Sequence, residues 1–294
     1  MKIGLYDVDS KIPNLALMKL SRFYKEKGDD VEFYMPLLKD NYDRIYASKI
    51  FNFSDSSNLF PNKMIIGGTG VDMSINLPAE IERLQPDYSI YKYPNSIGFT
   101  MRGCRFKCKF CVVPEKEGAP KPNNTIDEIW TQRDSDFIVL LDNDFFGNEL
   151  WEDRCKEILK YDLRVNFNQG LNIRIITDKQ CEYLYKMKFR NFKGNRKMLH
   201  FAWDKFQDGR WVKNGVDRVL KTGIKSYQMT FYVLIGFDTT PEQDLDRVTI
   251  IKNWGANPFV MPYDKFDQYQ NRFARWVNHK AIFNSVSWEE FRST

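Results

Sequence analysis

Apolar positions along the chain fall into short runs separated by longer stretches where they recur every three or four residues, the signature of strands alternating with helices. In the first third, residues 2–8 read as an apolar strand and 15–27 as a helix, with Leu17, Leu20 and Phe23 at helical spacing. Residues 31–35, 44–51 and 63–66 predict three more strands. The last runs into Gly67-Gly68-Thr69-Gly70, a turn that lets backbone approach a neighbour closely. Strand, helix, strand order implies a parallel sheet of Rossmann-like type. Asp7-Val8-Asp9-Ser10 follows the first strand, so the G-x-G-x-x-G dinucleotide fingerprint is absent. Residues 86–95, with Pro86 and Pro94 and little periodicity, read as a linker closing a first domain over 1–95.

The alternation then resumes. Strands are expected over 97–101, 137–141, 163–167, 199–203, 228–235 and 259–261, with helices over 149–160, 178–188, 212–221 and 241–254 between them. Thr125 and Glu128 form a capping box that opens a helix running through Trp130. These strands end at polar residues: Asp142-Asn143-Asp144, Asn168-Gln169-Gly170, Asp204, Gly236 and Asp264. In parallel α/β architectures ligands bind at the carboxyl ends of strands, so such groups would ring one mouth. This second domain is placed over 96–265, and 266–294 reads as an amphipathic, aromatic helical cover. The fold class is therefore α/β throughout.

The densest chemistry follows the strand 97–101. Cys104, Cys108 and Cys111 stand in a Cys-x3-Cys-x2-Cys run, and soft thiolates at that spacing select zinc or an iron–sulfur cluster. A closed zinc site needs four ligands, yet the next cysteine is Cys155 and the only histidines are His200 and His279. Three protein ligands would leave a metal position open, as a catalytic site does. Arg102, Arg105, Lys107 and Lys109 crowd the run, and neighbouring cations are expected to lower the thiol pKa values.

With Phe110 just before the last cysteine, the run resembles the signature of the radical S-adenosylmethionine superfamily. The resemblance implies that the three cysteines bind a 4Fe-4S cluster whose fourth iron is chelated by S-adenosylmethionine, and that reductive cleavage gives a 5′-deoxyadenosyl radical which abstracts hydrogen from substrate. It also implies a partial six-stranded β/α barrel and an electron donor such as flavodoxin or ferredoxin. Carried over by position, Asp142, Asn143 and Asp144 stand where the family binds the methionyl amine, although its common Gly-Gly-Glu is missing. Gln169 and Asn168 suit polar cofactor or substrate groups. Asp204 matches the ribose position, Gly236 lies in the stretch that packs on adenine, and Phe110 would present backbone to the adenine edge. A Rossmann-like piece before the run resembles the cobalamin-binding-type subclass. No histidine precedes His200 and the segment is short, which favours a domain without cobalamin, though members that bind it without a protein ligand keep the alternative open. Residues 1–103 contain no cysteine, unlike the similar methylthiotransferases.

Composition narrows the rest. With 43% hydrophobic and 15% aromatic residues, the 294-residue chain supports packed cores rather than disorder. The net charge of +5 is compatible with an anionic substrate without demanding one. The first residues turn charged too soon for a signal peptide and no apolar run has bilayer length, so a cytoplasmic, reducing location without membrane contact is expected. Cys155 and Cys181 read as buried helical hydrophobes, and His200 and His279 as structural residues in a strand and a late helix. Lys186, Lys188, Arg190, Lys193, Arg196 and Lys197 interleave with Phe189 and Phe192, a pattern that suits phosphate contacts with base stacking, or simply a solvated loop. Two readings besides a radical enzyme of unassigned substrate stay open: a metal-stabilised nucleic-acid-binding module without catalysis, and a radical enzyme acting on a nucleic acid or nucleotide base.

Overall fold

The structure is a computed structural model that describes residues 1–59 and 62–293. The chain divides into two compact units, Met1–Pro94 and Asn95–Thr294.

In the first unit, β1 (Lys2–Asp7), β2 (Asp30–Phe33), β3 (Arg44–Ser48) and β4 (Ile65–Gly67) form a parallel sheet in the order β2-β1-β3-β4. Helix α1 (Leu15–Glu26) starts where the Asn14 side chain accepts the amides of Ala16 and Leu17, and buries Leu17, Leu20 and Tyr24 against Ile3, Leu5 and Val31. The strand expected over 44–51 stops at Ser48 because the amides of Ile50 and Phe51 donate to the Asp9 carboxylate at 2.8 and 2.9 Å instead of extending the ladder. Residues 86–94 are not a free linker. Asp87 accepts from Ser21 Oγ (2.6 Å) and Lys25 Nζ (2.7 Å), and Tyr91 donates its hydroxyl to Asp7, which fastens the segment to its own unit.

In the second unit six strands lie beside one another in the order in which the chain makes them. β5 (Ser96–Gly98), β6 (Phe137–Leu140) and β7 (Arg164–Phe167) form one parallel sheet, edged by the two-residue strand Lys188–Phe189. β8 (Leu199–Ala202), β9 (Met229–Ile235) and β10 (Asn257–Pro262) form another, joined to the first by the single bridge Leu171↔Phe201. Helices α2 (Trp151–Lys160), α3 (Asp178–Lys186), α4 (Gly209–Lys221) and α5 (Pro241–Asn253) alternate with these strands. Capping boxes at Thr125/Glu128, Thr177/Gln180 and Thr240/Gln243 start three of the unit's helices.

Strand alternation sorts the side chains. Phe201, Phe231, Val233 and Val260 join a core shared with Cys155 and Cys181, both fully buried, whereas His200 and Tyr232 stand on the opposite face. Helix α6 (Gln268–Asn278) adds Phe273, Trp276 and Val277 to that core, so this helix packs as part of the unit. His279 is not inside a helix as expected: it lies between α6 and Lys280–Ser285, and its Nδ1 accepts the Ile282 amide at 3.4 Å. Among the described residues no helix is long and apolar enough to cross a membrane.

The turn after β4 shows why it is built from glycine. Gly68 has φ of 106°, and a Cβ there would lie 2.1 Å from the Lys49 carbonyl oxygen. Gly68→Ala should lower the urea-unfolding stability of the first unit by about 1–3 kcal/mol, and an unchanged transition would contradict this account of the turn.

Candidate metal centre

The cysteine loop is anchored by carboxylates at and beyond the end of β6. Asp142, 4% exposed, accepts through Oδ1 from the Thr100 amide (2.9 Å), the Thr100 hydroxyl (2.7 Å) and the Met101 amide (2.6 Å). Those amides therefore leave the sheet, and the strand expected over 97–101 breaks into β5 and the two-residue Met101–Arg102, which pairs antiparallel with Lys121–Pro122. Glu117 closes the loop from its far side, accepting from Arg102 Nη2 (2.7 Å), the Gly103 amide (2.8 Å) and Asn143 Nδ2 (3.2 Å). Gly103, at φ of 81°, passes so close to Ala119 that a Cβ would sit 2.3 Å from its carbonyl oxygen. Asp144, 3% exposed, takes a bidentate pair from Arg105 Nε (2.7 Å) and Nη2 (2.9 Å).

Aromatic contacts continue the attachment across the strand ends. The Phe106 ring lies under the Arg174 guanidinium, 4.9 Å from its centroid, in the segment after β7. Phe110 meets Phe237, just past β9, edge-on at 5.6 Å, and Phe237 meets Tyr263, just past β10, at 4.9 Å. The loop thus sits at the carboxyl ends of the parallel strands and touches the segments that follow β6, β7 and β9.

Cys104, Cys108 and Cys111 are free and half-buried. The Phe106 amide points at Cys104 Sγ (3.4 Å), and the Cys111 amide donates to the Cys108 carbonyl (3.0 Å) in a tight turn. Burial pushes the Cys104 thiol up to about 11, with Asp144 and the other two sulfurs adding to the rise. Burial likewise raises Cys108, against the Arg174 charge. The expected lowering by the flanking cations is therefore overturned for both: Arg105 is held by Asp144 and Arg102 by Glu117, so their charge is already spent. Cys104 and Cys108 thus resist ionisation, and a bound cation would supply the compensating charge. Among the described residues no three Cys, His, Asp or Glu side chains converge as a metal-holding set, so the match to a thiolate-bound metal rests on donor type and loop attachment.

The remaining candidate residues divide. Asp142 Oδ2 is buried without a hydrogen-bond partner among the described residues, while Asn143 and Asp144 are engaged as above. Asp204 accepts the Leu234 amide (3.3 Å), and burial raises its pKa against the Arg247 and Arg174 charges. Gly236, at φ of 78°, leaves room for Gln270, which a Cβ would approach to 2.1 Å. Gln169 is exposed in the turn after β7. No sequence pattern singles out Glu117, nor the buried Arg247, whose guanidinium donates to the carbonyls of Trp203 (2.8 Å), Asp204 (2.9 Å) and Leu234 (2.8 Å). Nor does any pattern single out Asn166 and Tyr232 on the face away from the helices, where His200 reads only as a structural strand residue. His200 stacks on Tyr232 at 5.4 Å, and His200 Nδ1 and Asn166 Oδ1 are buried without partners among the described residues. An isolated Glu or Arg carries no spacing signal, and only the strand's two-residue period could have pointed to His200.

Two of these buried groups pull stability in opposite directions. Burial raises Asp142 from 3.8 to about 7, so the folded state keeps a proton the unfolded chain has lost, and stability falls as pH rises through that window. Burial lowers His200 from 6.5 to about 4, so the unfolded chain holds the extra proton, and stability rises with pH across its window. Each effect is on the order of a few kcal/mol, and they offset between about pH 4 and 6.5. Subtracting the parent's stability profile from that of Asp142→Asn should leave a difference that grows with pH. The same subtraction for His200→Phe should give the opposite slope. A flat difference for either variant would contradict these assignments.

No family model, no curated protein and no solved structure matches this chain, so its site is read from its own residues alone.

Proposed function

We propose that the protein is a radical S-adenosylmethionine enzyme in which Cys104, Cys108 and Cys111 hold a 4Fe-4S cluster. The observation that carries this is three free thiols on one loop, spaced Cys-x3-Cys-x2-Cys and fastened to the carboxyl ends of parallel strands. Six sequential strands in two bridged parallel sheets suit the partial barrel of that family. When bound, the cluster would supply the electron that cleaves S-adenosylmethionine to a hydrogen-abstracting radical.

The chain's own residues then take distinct roles. Asp144 holds Arg105 and so fixes the loop rather than meeting a cofactor. Asp142 Oδ2 is left as the acceptor for the methionyl ammonium, a charge-assisted hydrogen bond. Phe110, packed edge-on against Phe237, would present backbone to the adenine near Gly236, and Asp204 would hold the ribose. Gln169 is in reach of solvent and suits substrate rather than cofactor. An external one-electron donor of flavodoxin or ferredoxin type is required. The first unit enters as a scaffold without cobalamin: Asn14 Nδ2 and Asp9, beside the ends of β1 and β3, are already bonded to Ser48 and to the Ile50 and Phe51 amides.

Anaerobic reconstitution should load about four irons per chain, and dithionite with S-adenosylmethionine should release 5′-deoxyadenosine. Cys104→Ala should abolish both, whereas Cys155→Ala should keep full iron and lose only stability, by about 1–3 kcal/mol. Iron bound with no deoxyadenosine formed, or zinc retained with a full complement of protein ligands, would overturn the proposal.

A further inference from the structure

A cleft of about 520 Å³ opens between the end of α3, the strand Lys188–Phe189 and the turn that leads into β9. Lys188 pairs with Arg164, the first residue of β7, so the cleft lies at the amino-terminal ends of the strands, away from the cysteine loop. Its walls carry Lys186, Lys188, Arg190, Lys197 and Lys225, and among the described residues no carboxylate lines it. Among the described residues only Lys188 of these cations pairs with an acid, Asp162, which stands outside the lining. Cations gathered without acids repel one another, and that cost is recovered when an anion binds.

The rings beside these cations indicate what kind of anion. Tyr185 and Tyr227, 58% and 66% exposed, border the cleft, while Met187, Phe189 and Ile224 form a buried floor. A second hollow of about 380 Å³ shares Tyr185 and Lys186 and extends the groove to Arg218 and Lys221; Asp178 and Glu182 line it too, and Asp178 pairs with Arg218 at 3.6 Å, so the uncompensated cations are those of the first cleft. A single phosphate would leave most of this space empty and would make no use of exposed rings. A strand of alternating phosphates and flat bases uses both.

We propose that this groove binds single-stranded nucleic acid, with the lysines and arginine on phosphates and Tyr185 and Tyr227 stacked on bases. The footprint differs from the basic stretch visible in the sequence. Phe189 is buried beneath the groove, Lys193 and Arg196 do not line it, and Lys225 and both tyrosines come from outside that stretch. It requires no metal and stands apart from the chemistry of the cysteine loop.

The test uses the full chain and a fluorescent single-stranded oligonucleotide of roughly 12 nucleotides, within the range one such groove covers. Anisotropy should show binding at low salt that weakens linearly in log Kd against log salt, and the same groove should bind polyglutamate of equal charge more weakly. Lys197→Glu with Lys225→Glu should weaken oligonucleotide binding at least about tenfold while leaving iron loading unchanged. Tyr185→Ala with Tyr227→Ala should weaken the oligonucleotide and leave polyglutamate as it was. Polyglutamate binding as tightly as the oligonucleotide, with the tyrosine pair indifferent, would mean an acidic protein surface is the occupant and would overturn the proposal. No binding at low salt, or binding unchanged by the lysine variants, would overturn it as well.

Discussion

The second unit's site depends on carboxylates placed around the loop that leaves β5. Asp142 draws the amides of Thr100 and Met101 out of the sheet, Asp144 locks Arg105, and Glu117 fastens Arg102, Gly103 and Asn143. Hydrogen bonds to charged groups contribute roughly 1.5–3 kcal/mol each, against about 1 kcal/mol for neutral ones. Both carboxyl groups are almost wholly buried: losing Arg105 would strand the Asp144 charge in the interior, and losing the Thr100 and Met101 donors would leave the Asp142 carboxyl unsatisfied there, each a larger penalty than loss of one bond. The loop is therefore held by its neighbours before any metal is considered. The cysteines can be half-buried at the strand ends only because the backbone around them is already fixed.

The local parts of this arrangement were legible in the sequence, and the partner choices were not. Strand runs, capping boxes and the cysteine spacing are properties of neighbouring residues, and most observed strands and the Thr125/Glu128 cap fall where those patterns placed them, while the strands expected over 44–51 and 97–101 are cut short. Asp144 shows the limit: as one acid of Asp142-Asn143-Asp144 it read as a cofactor ligand, yet it is spent on Arg105, which lies far away in sequence. The same pairing removes the cation expected to acidify the thiols, so one non-local contact reversed two expectations. The break of the 97–101 strand has the same origin, since no local pattern announces that a side chain from β6 will capture its amides.

One parallel array thus presents two chemically different ends. Its carboxyl ends carry thiols, carboxylates and aromatic contacts gathered around a loop. Its amino ends carry the cations and exposed tyrosines of an open groove. Between them the strands use their period of two to keep aliphatic and aromatic bulk toward the helices, leaving His200, Asn166 and Tyr232 on the other face. Arg247 stiffens the end of β8 by binding the carbonyls of Trp203 and Asp204, so the strand ends are braced by side chains as well as by the ladder.

The account stands or falls on whether the three thiols leave one iron open to an outside ligand. Low-temperature electron paramagnetic resonance of the dithionite-reduced, oxygen-free protein, recorded with and without S-adenosylmethionine, reads this directly. A reduced-cluster signal that shifts when S-adenosylmethionine is added, and is absent from Cys108→Ala, is the result expected. A signal indifferent to S-adenosylmethionine would mean that the fourth position is closed, and the central claim would be wrong.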